Sequence, residues 1–136
     1  MNKLIIPLLL FSLCFPCDDP EACNYNVIDE ECEYAQEFFT CNGSPVQFNF
    51  SISAMMAMYF FIDILIDDVL IDNDDWVAAF NGDICVGATR LENCIYNGIC
   101  ELIVWGDDGE LYSEGYMQVG NIPTFKIYDF SDNIYY

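Results

Sequence analysis

Two short apolar runs, Trp76–Phe80 and Ile84–Ala88, flank an Asn81-Gly82 step. Asn-Gly accepts positive φ at both residues, as a tight reversal between twisted antiparallel strands requires, and it is the strongest short hairpin signal. WVAAFNGDICVGA is therefore predicted to be a β-hairpin joined at Asn81-Gly82. Simple alternation along its second strand puts Cys85 and Gly87 on one side.

The neighbouring sequence continues in short strands. Val46, Phe48, Phe50 and Ile52 alternate with Gln47, Asn49 and Ser51, the period of a half-buried strand. Met55–Met58 fits helix or strand. Tyr59–Ile66 is aromatic and β-branched and reads as strand. Asp67-Asp68 offers a turn, Val69–Ile71 a short strand and Asp72–Asp75 a loop. Leu102–Trp105 and Thr124–Tyr128 read as strands on either side of a Gly106-Asp107-Asp108-Gly109 turn and a polar stretch, 110–121, with Tyr116 and Met117 extended within it. Ile134–Tyr136 begins a further strand, either a terminal edge or the cut end of a longer sequence. Many short strands with frequent turn signals predict an all-β fold, an antiparallel β-sandwich of immunoglobulin-like or jelly-roll-like type.

Residues 1–16 stand apart. Lys3 precedes the apolar run Leu4–Phe11, the charged and hydrophobic regions of a signal peptide. The run is too short to span a bilayer, which takes about 20 apolar residues. The next apolar stretch, Ile62–Ile71, is broken by Asp63, Asp67 and Asp68. Residues 17–43 hold four cysteines and eight acidic residues, with little apolar periodicity. They read as a small disulfide-stapled segment ahead of a β-sandwich module over 44–136. The chain is 54% hydrophobic and 16% aromatic, enough for a core and against disorder.

Charge narrows the partners. Formal net charge is −20, and loss of the leader leaves only Arg90 and Lys126 against 23 acidic residues. Phosphate recognition needs a basic face, so nucleic acid is excluded as a partner and anionic membrane is disfavoured. Cations and neutral glycans remain. High charge also serves simple solubility.

Cysteine usage points to an oxidising compartment. Cys14 leaves with the leader. Seven remain: Cys17, Cys23, Cys32, Cys41, Cys85, Cys94 and Cys100. An odd number leaves one free, intermolecular or lipidated at Cys17, although Cys14-Phe15-Pro16 lacks the small residues that lipidation expects. The mature segment has no CxxC pair and the chain no histidine, so zinc is not expected. Cys94 and Cys100 close a small loop and are predicted to pair, for about 2–3 kcal/mol. Cys85 either pairs with Cys41 or stays buried as a small apolar residue.

CDDPEACNYN followed by CEYA resembles the short C-x-D-P-x-A-C-N-Y-N…C-x-Y repeats of secreted and surface proteins from marine and Bacteroidetes-type bacteria. DDWVAAFNGDICVGATR, GICELIVWGDDG and GYMQVGNIPTFKIYD resemble a module of the same exported proteins. Its signature is a D-W-x-G/A-A-F-N-G-D-x-C-V-G-A hairpin, a G-D-D-G turn and a P-T-F-K-I-Y-D strand. The resemblance covers nearly the whole mature chain. It implies an extracellular β-sandwich module, usually one part of a longer surface protein, with no catalytic residues. This chain differs in being short.

The residues themselves offer three chemistries. Catalysis by Ser-His-Asp or Cys-His is impossible without histidine. A carboxylate pair could serve a small exported glycosidase, but acidic residues are too abundant for any pairing to be informative. Calcium takes six to eight oxygen ligands. Three clusters could supply them: Asp19, Asn24, Asn26 and Asp29, with Asp18 and Glu31; Asp72, Asn73, Asp74 and Asp75; and Asp107 and Asp108, with Glu110. None matches an EF-hand loop, and the competing reading is that Asp and Asn build turns through their own backbone. The run Asp72–Asp75, directly before a strand, is the strongest of the three. Aromatic residues offer a glycan platform, for which Tyr112 and Tyr116 in the polar stretch, together with Trp105, are the candidates, against core packing for Trp76 and Trp105. Asn42-Gly43-Ser44 and Asn49-Phe50-Ser51 are glycosylation sequons.

The expectation is a secreted or cell-surface, non-catalytic β-sandwich module for adhesion, glycan binding or matrix interaction, stabilised by calcium. Its partner is a glycan or another surface protein. The alternative is a self-assembling subunit of an extracellular filament, built by strand addition at an open edge and the Ile134–Tyr136 tail.

Overall fold

The computed structural model describes residues 17–27, 30–94 and 99–136. The expected leader, 1–16, and Asp29 lie outside the described residues. Among the described residues eight strands follow one another: β1 (Met55–Phe61), β2 (Leu65–Ile66), β3 (Val69–Leu70), β4 (Trp76–Asn81), β5 (Ile84–Arg90), β6 (Cys100–Gly106), β7 (Thr124–Asp129) and β8 (Ile134–Tyr135). Every strand pairing is antiparallel, in a four-stranded sheet ordered β5-β4-β7-β8, a ribbon of β1 and β6, and a small β2-β3 hairpin. The fold is all-β, stapled by disulfides. No helix among the described residues is long and apolar enough to cross a membrane.

The centre is β4. Its four residues Val77–Phe80 are all buried, because the sheet is covered on both faces. Val77 and Ala79 join Val86 of β5 against Leu102 and Val104 of β6, with Tyr116 and Met117 closing that core. Ala78 and Phe80 face the other way, into a second core with Phe48, Cys85 and Tyr128. The segment before β1 covers this side. Phe39 sits edge-on to Tyr128 at 5.9 Å, and Phe48 meets Phe80 at 5.8 Å and Tyr135 at 5.5 Å. The stapled segment thus contributes Phe39 to the same core as the sheet.

The hairpin forms, with two departures from expectation. Asn81 pairs with Ile84, so the turn residues are Gly82 and Asp83. Only Gly82 has positive φ, +62°, which is the pattern of a II′ turn with glycine first. Asn81 stays in the strand, where its side-chain amide donates to the Gly115 carbonyl at 2.9 Å. Further along, Phe80 pairs with Cys85 but Ala79 pairs with Gly87, leaving Val86 as a bulge. The bulge breaks the alternation. Cys85 therefore points into the Phe48 core, whereas a β-carbon on Gly87 would point at β6, 2.0 Å from the Ile103 carbonyl oxygen. Glycine is needed there for the two layers to meet.

Other expectations shift locally. Val46–Ile52 is not a ladder strand. Val46–Phe48 is a 3-10 turn, with the Phe48 N–H donating to the Pro45 carbonyl, and only Phe48 is fully buried. The expected strand Tyr59–Ile66 splits into β1 and β2 at the Asp63 corner, and β1 reaches back through Met55, resolving Met55–Met58 as strand. Disulfides join Cys17 to Cys32, Cys23 to Cys41 and, as predicted, Cys94 to Cys100. Cys17 uses the sulfur that a lipid would need. Cys85, counted among the disulfide candidates, is instead free and buried, and its pairing with Cys41 is ruled out because Cys41 is taken by Cys23. Burial pushes its thiol above the ordinary value, which keeps it protonated and inert.

Replacing Gly87 by alanine is expected to lower the unfolding free energy by about 1–3 kcal/mol, the usual cost of overpacking. Urea titration of the oxidised chain reads this. A loss below about 0.5 kcal/mol, the range of a free surface position, would mean the two layers do not meet at this glycine.

Candidate functional site

The acidic loops turn their oxygens inward, onto their own backbone. Asp75 is buried at 4% exposure. One of its carboxylate oxygens accepts the Asp72 N–H at 2.7 Å and the other the Phe130 N–H at 2.9 Å. Its carbonyl accepts the Leu91 N–H at 2.9 Å, and the Asn73 carbonyl accepts that of Glu92 at 2.9 Å. The loop thereby ties together the entry to β4, the exit of β5 and the turn after β7. Asp74 pairs with the Arg90 guanidinium, whose other terminal nitrogen meets Glu92 at 3.0 Å. The cation that this loop holds is a side chain.

Asp108 is a second hub. It accepts from the Ala54 N–H at 2.8 Å, the Ser113 hydroxyl at 2.5 Å, the Tyr112 hydroxyl at 3.0 Å and the Glu110 N–H at 3.2 Å. These donors, the Ala54 amide foremost and then Ser113, hold its carboxyl far below the usual carboxylate range. Asp107 accepts the Gly109 N–H at 2.9 Å. In the stapled segment Asp19 accepts from Tyr34 and from the Glu21 N–H, which lowers its pKa in that order of importance. Asn24 bridges Glu31 and Glu33, and Asn26 sits at φ +66° with its N–H on the Cys17 carbonyl. Among the described residues, no group of three or more acidic or cysteine side chains converges to hold a metal.

The three aromatic candidates do not come together. Tyr116 is core rather than platform: it is 5% exposed, and its hydroxyl accepts the Ser51 N–H at 2.7 Å. A polar sequence environment hid this anchor. Tyr112 is half exposed but bonded to Asp108. Trp105 packs along the edge of the first core.

A different set does converge. A cleft of about 340 Å³ opens between the stapled segment and the start of β4. Trp76, Phe39 and Phe130 supply aromatic walls, Tyr34 stands at the rim, and Arg90, Glu33, Gln36 and Thr40 supply polar groups. The Val86 bulge assembles its floor. Without the extra residue Trp76 would face Thr89; with it, Trp76 faces Arg90. Arg90 Nε is buried and unpaired, the one such side-chain atom among the described residues, so the guanidinium is positioned by its two terminal nitrogens. A bulge leaves no signature in the pattern of apolar residues, which is why Arg90 and Trp76 could not be paired beforehand. Comparison adds nothing to this geometry. No family model, curated protein or solved structure matches the chain. The cleft therefore has to be read from its own chemistry: apolar walls for the faces of a ring, and polar groups at its edges.

Two measurements probe the hubs. Asp75→Ala strands two backbone amides and is expected to cost about 3 kcal/mol, given about 1–3 kcal/mol per unsatisfied group; Asp75→Asn, which keeps an acceptor, should cost less. Chemical denaturation distinguishes them, and equal losses would show that the hydrogen bonds do not matter. For Asp108, the folded pKa lies below the unfolded one. Its contribution is therefore present above about pH 4 and is lost as pH falls through the folded value. Carboxyl-carbon NMR should find Asp108 still ionised at about pH 3, and Asp108→Asn should flatten the acid limb of the stability profile; an ordinary titration near pH 4 would contradict the hydrogen-bond count.

Proposed function

We propose that this chain is a non-catalytic extracellular module that binds a neutral glycan in the cleft between Trp76 and Arg90, for adhesion or matrix attachment. The observation that carries the reading is the cleft's composition. Sugar rings have apolar C–H faces that stack on aromatic walls, and hydroxyls that pair with carboxylate, amide and guanidinium edges. Trp76 and Phe130 supply the first, and Glu33, Gln36 and Arg90 the second. A net charge of −20 favours an uncharged ligand over an anionic one. Three disulfides fit an oxidising, extracellular setting, as does the resemblance to exported surface modules. The absence of histidine from the sequence supports a binding role over acid–base catalysis.

Retention of the oxidised chain on insoluble neutral polysaccharides, followed by titration with soluble fragments, tests this. Tyr34→Ala and Phe130→Ala lie at exposed walls of the cleft and are expected to weaken binding at least fivefold with little change in Tm. Tyr112→Ala, outside the cleft, should bind like the parent. Binding that survives both cleft variants, or is lost on Tyr112→Ala, would overturn the assignment.

A further inference from the structure

A second surface, on another part of the fold, is built for protein. Alternation along β1 sends Tyr59 and Phe61 inward, against Phe125 at 5.4 and 5.1 Å. It leaves Met56, Met58 and Phe60 outward, at 57%, 51% and 61% exposure. Across the ribbon these stand opposite Trp105, Ile103 and Glu101. Residues directly opposite one another in an antiparallel pair share a face, so Met56, Met58 and Phe60 form an exposed apolar row beside the half-buried Ile103 and Trp105, with the Glu101 carboxylate at its corner. Soluble monomers seldom expose such a patch without using it.

The edge of β1 is open as well. The strand pairs with β6 on one side and has no strand partner on the other among the described residues. Natural edges are blunted by lysine, proline or a bulge, and Met55–Phe61 has none of these. On the inward side, Met55, Ala57 and Tyr59 share a groove with Val119, itself 93% exposed. A strand added along this edge would meet apolar atoms on both its faces.

Charge decides what adds. Acidic groups stand at both ends of β1: Asp63 two residues beyond Phe61, and Asp107 and Asp108 near Met55, where Asp108 accepts the Ala54 N–H. Neither basic side chain among the described residues offsets them. Arg90 is paired with Asp74 and Glu92, and Lys126 lies over the Phe80 ring at 4.2 Å. A second copy would bring its own −20 against this rim. We propose that β1 accepts, by strand addition, an extended segment of a partner protein with apolar side chains in the middle and lysine or arginine at both ends. β1 is seven residues long and so spans about 23 Å, which sets the spacing of the two basic ends. This docking site is independent of the glycan cleft.

The probe is a synthetic peptide of alternating valine and threonine with two lysines at each end, titrated into the oxidised chain and compared with its glutamate-ended counterpart. The lysine-ended peptide is expected to bind, to lose at least tenfold in affinity between about 50 and 500 mM salt, and to slow amide exchange on the free edge of β1. The glutamate-ended peptide should not bind. Met58→Glu should cost the lysine-ended peptide at least tenfold with unchanged glycan retention. The exchange measurement on the unsubstituted chain stands whether or not that variant folds. Equal binding of the two peptides, binding of neither, or protection away from β1 would overturn the proposal. So would a dimer of the unsubstituted chain by sedimentation that Met58→Glu converts to monomer, since a second copy would then occupy the face.

Discussion

A buried carboxylate whose hydrogen-bond partners are two backbone amides holds this fold in register. Asp75 reaches the Asp72 N–H beside it and the Phe130 N–H across the sheet. A buried charge is costly unless its oxygens are satisfied by hydrogen bonds, so the loop before β4 and the turn after β7 cannot separate without exposing that cost. Phe130 is in turn a wall of the cleft, and Asp74, the next residue back along the loop, fixes Arg90. Stability and the shape of the candidate site thus share one loop.

The second dependence is steric. β4 is buried on both faces, which requires small residues where the layers come closest. Ala78 and Ala79 supply them within β4, and Gly87 supplies the point of contact with β6. Phe48 and Phe80 fill the space on the opposite side. Pairing of alanine-rich strand with aromatic cover explains why WVAAFN is buried at four consecutive positions rather than at every second one.

Much of the architecture was legible from local pattern. Strand type is a local property, and the β4–β5 hairpin, β6, β7 and the Cys94–Cys100 loop follow from apolar runs and turn residues, with the turn itself one residue later than the Asn81-Gly82 step implied. What was not legible depends on distant contacts. Val46–Ile52 has a strand's alternation, yet Val46–Phe48 folds as a 3-10 turn that inserts Phe48 between Phe80, Tyr128 and Tyr135, contacts far off in sequence. The bulge at Val86 puts Gly87 on the opposite side from Cys85, against simple alternation, and sets Arg90 rather than Thr89 opposite Trp76. The acidic runs were legible as turn formers, and their carboxylates do bind backbone amides. Tyr116 looked exposed from its polar neighbours, yet a bond to Ser51, far off in sequence, draws it into the core.

Cys85 is the one described cysteine outside a disulfide, and it lies beneath Phe48 and Phe80. During oxidative folding an unpaired thiol is a competitor, able to attack any bond that forms early. Closure of the Phe48 core removes it from exchange. In this chain, then, apolar packing also acts as an editor of covalent chemistry: the correct three crosslinks persist because the core hides the sulfur that would scramble them.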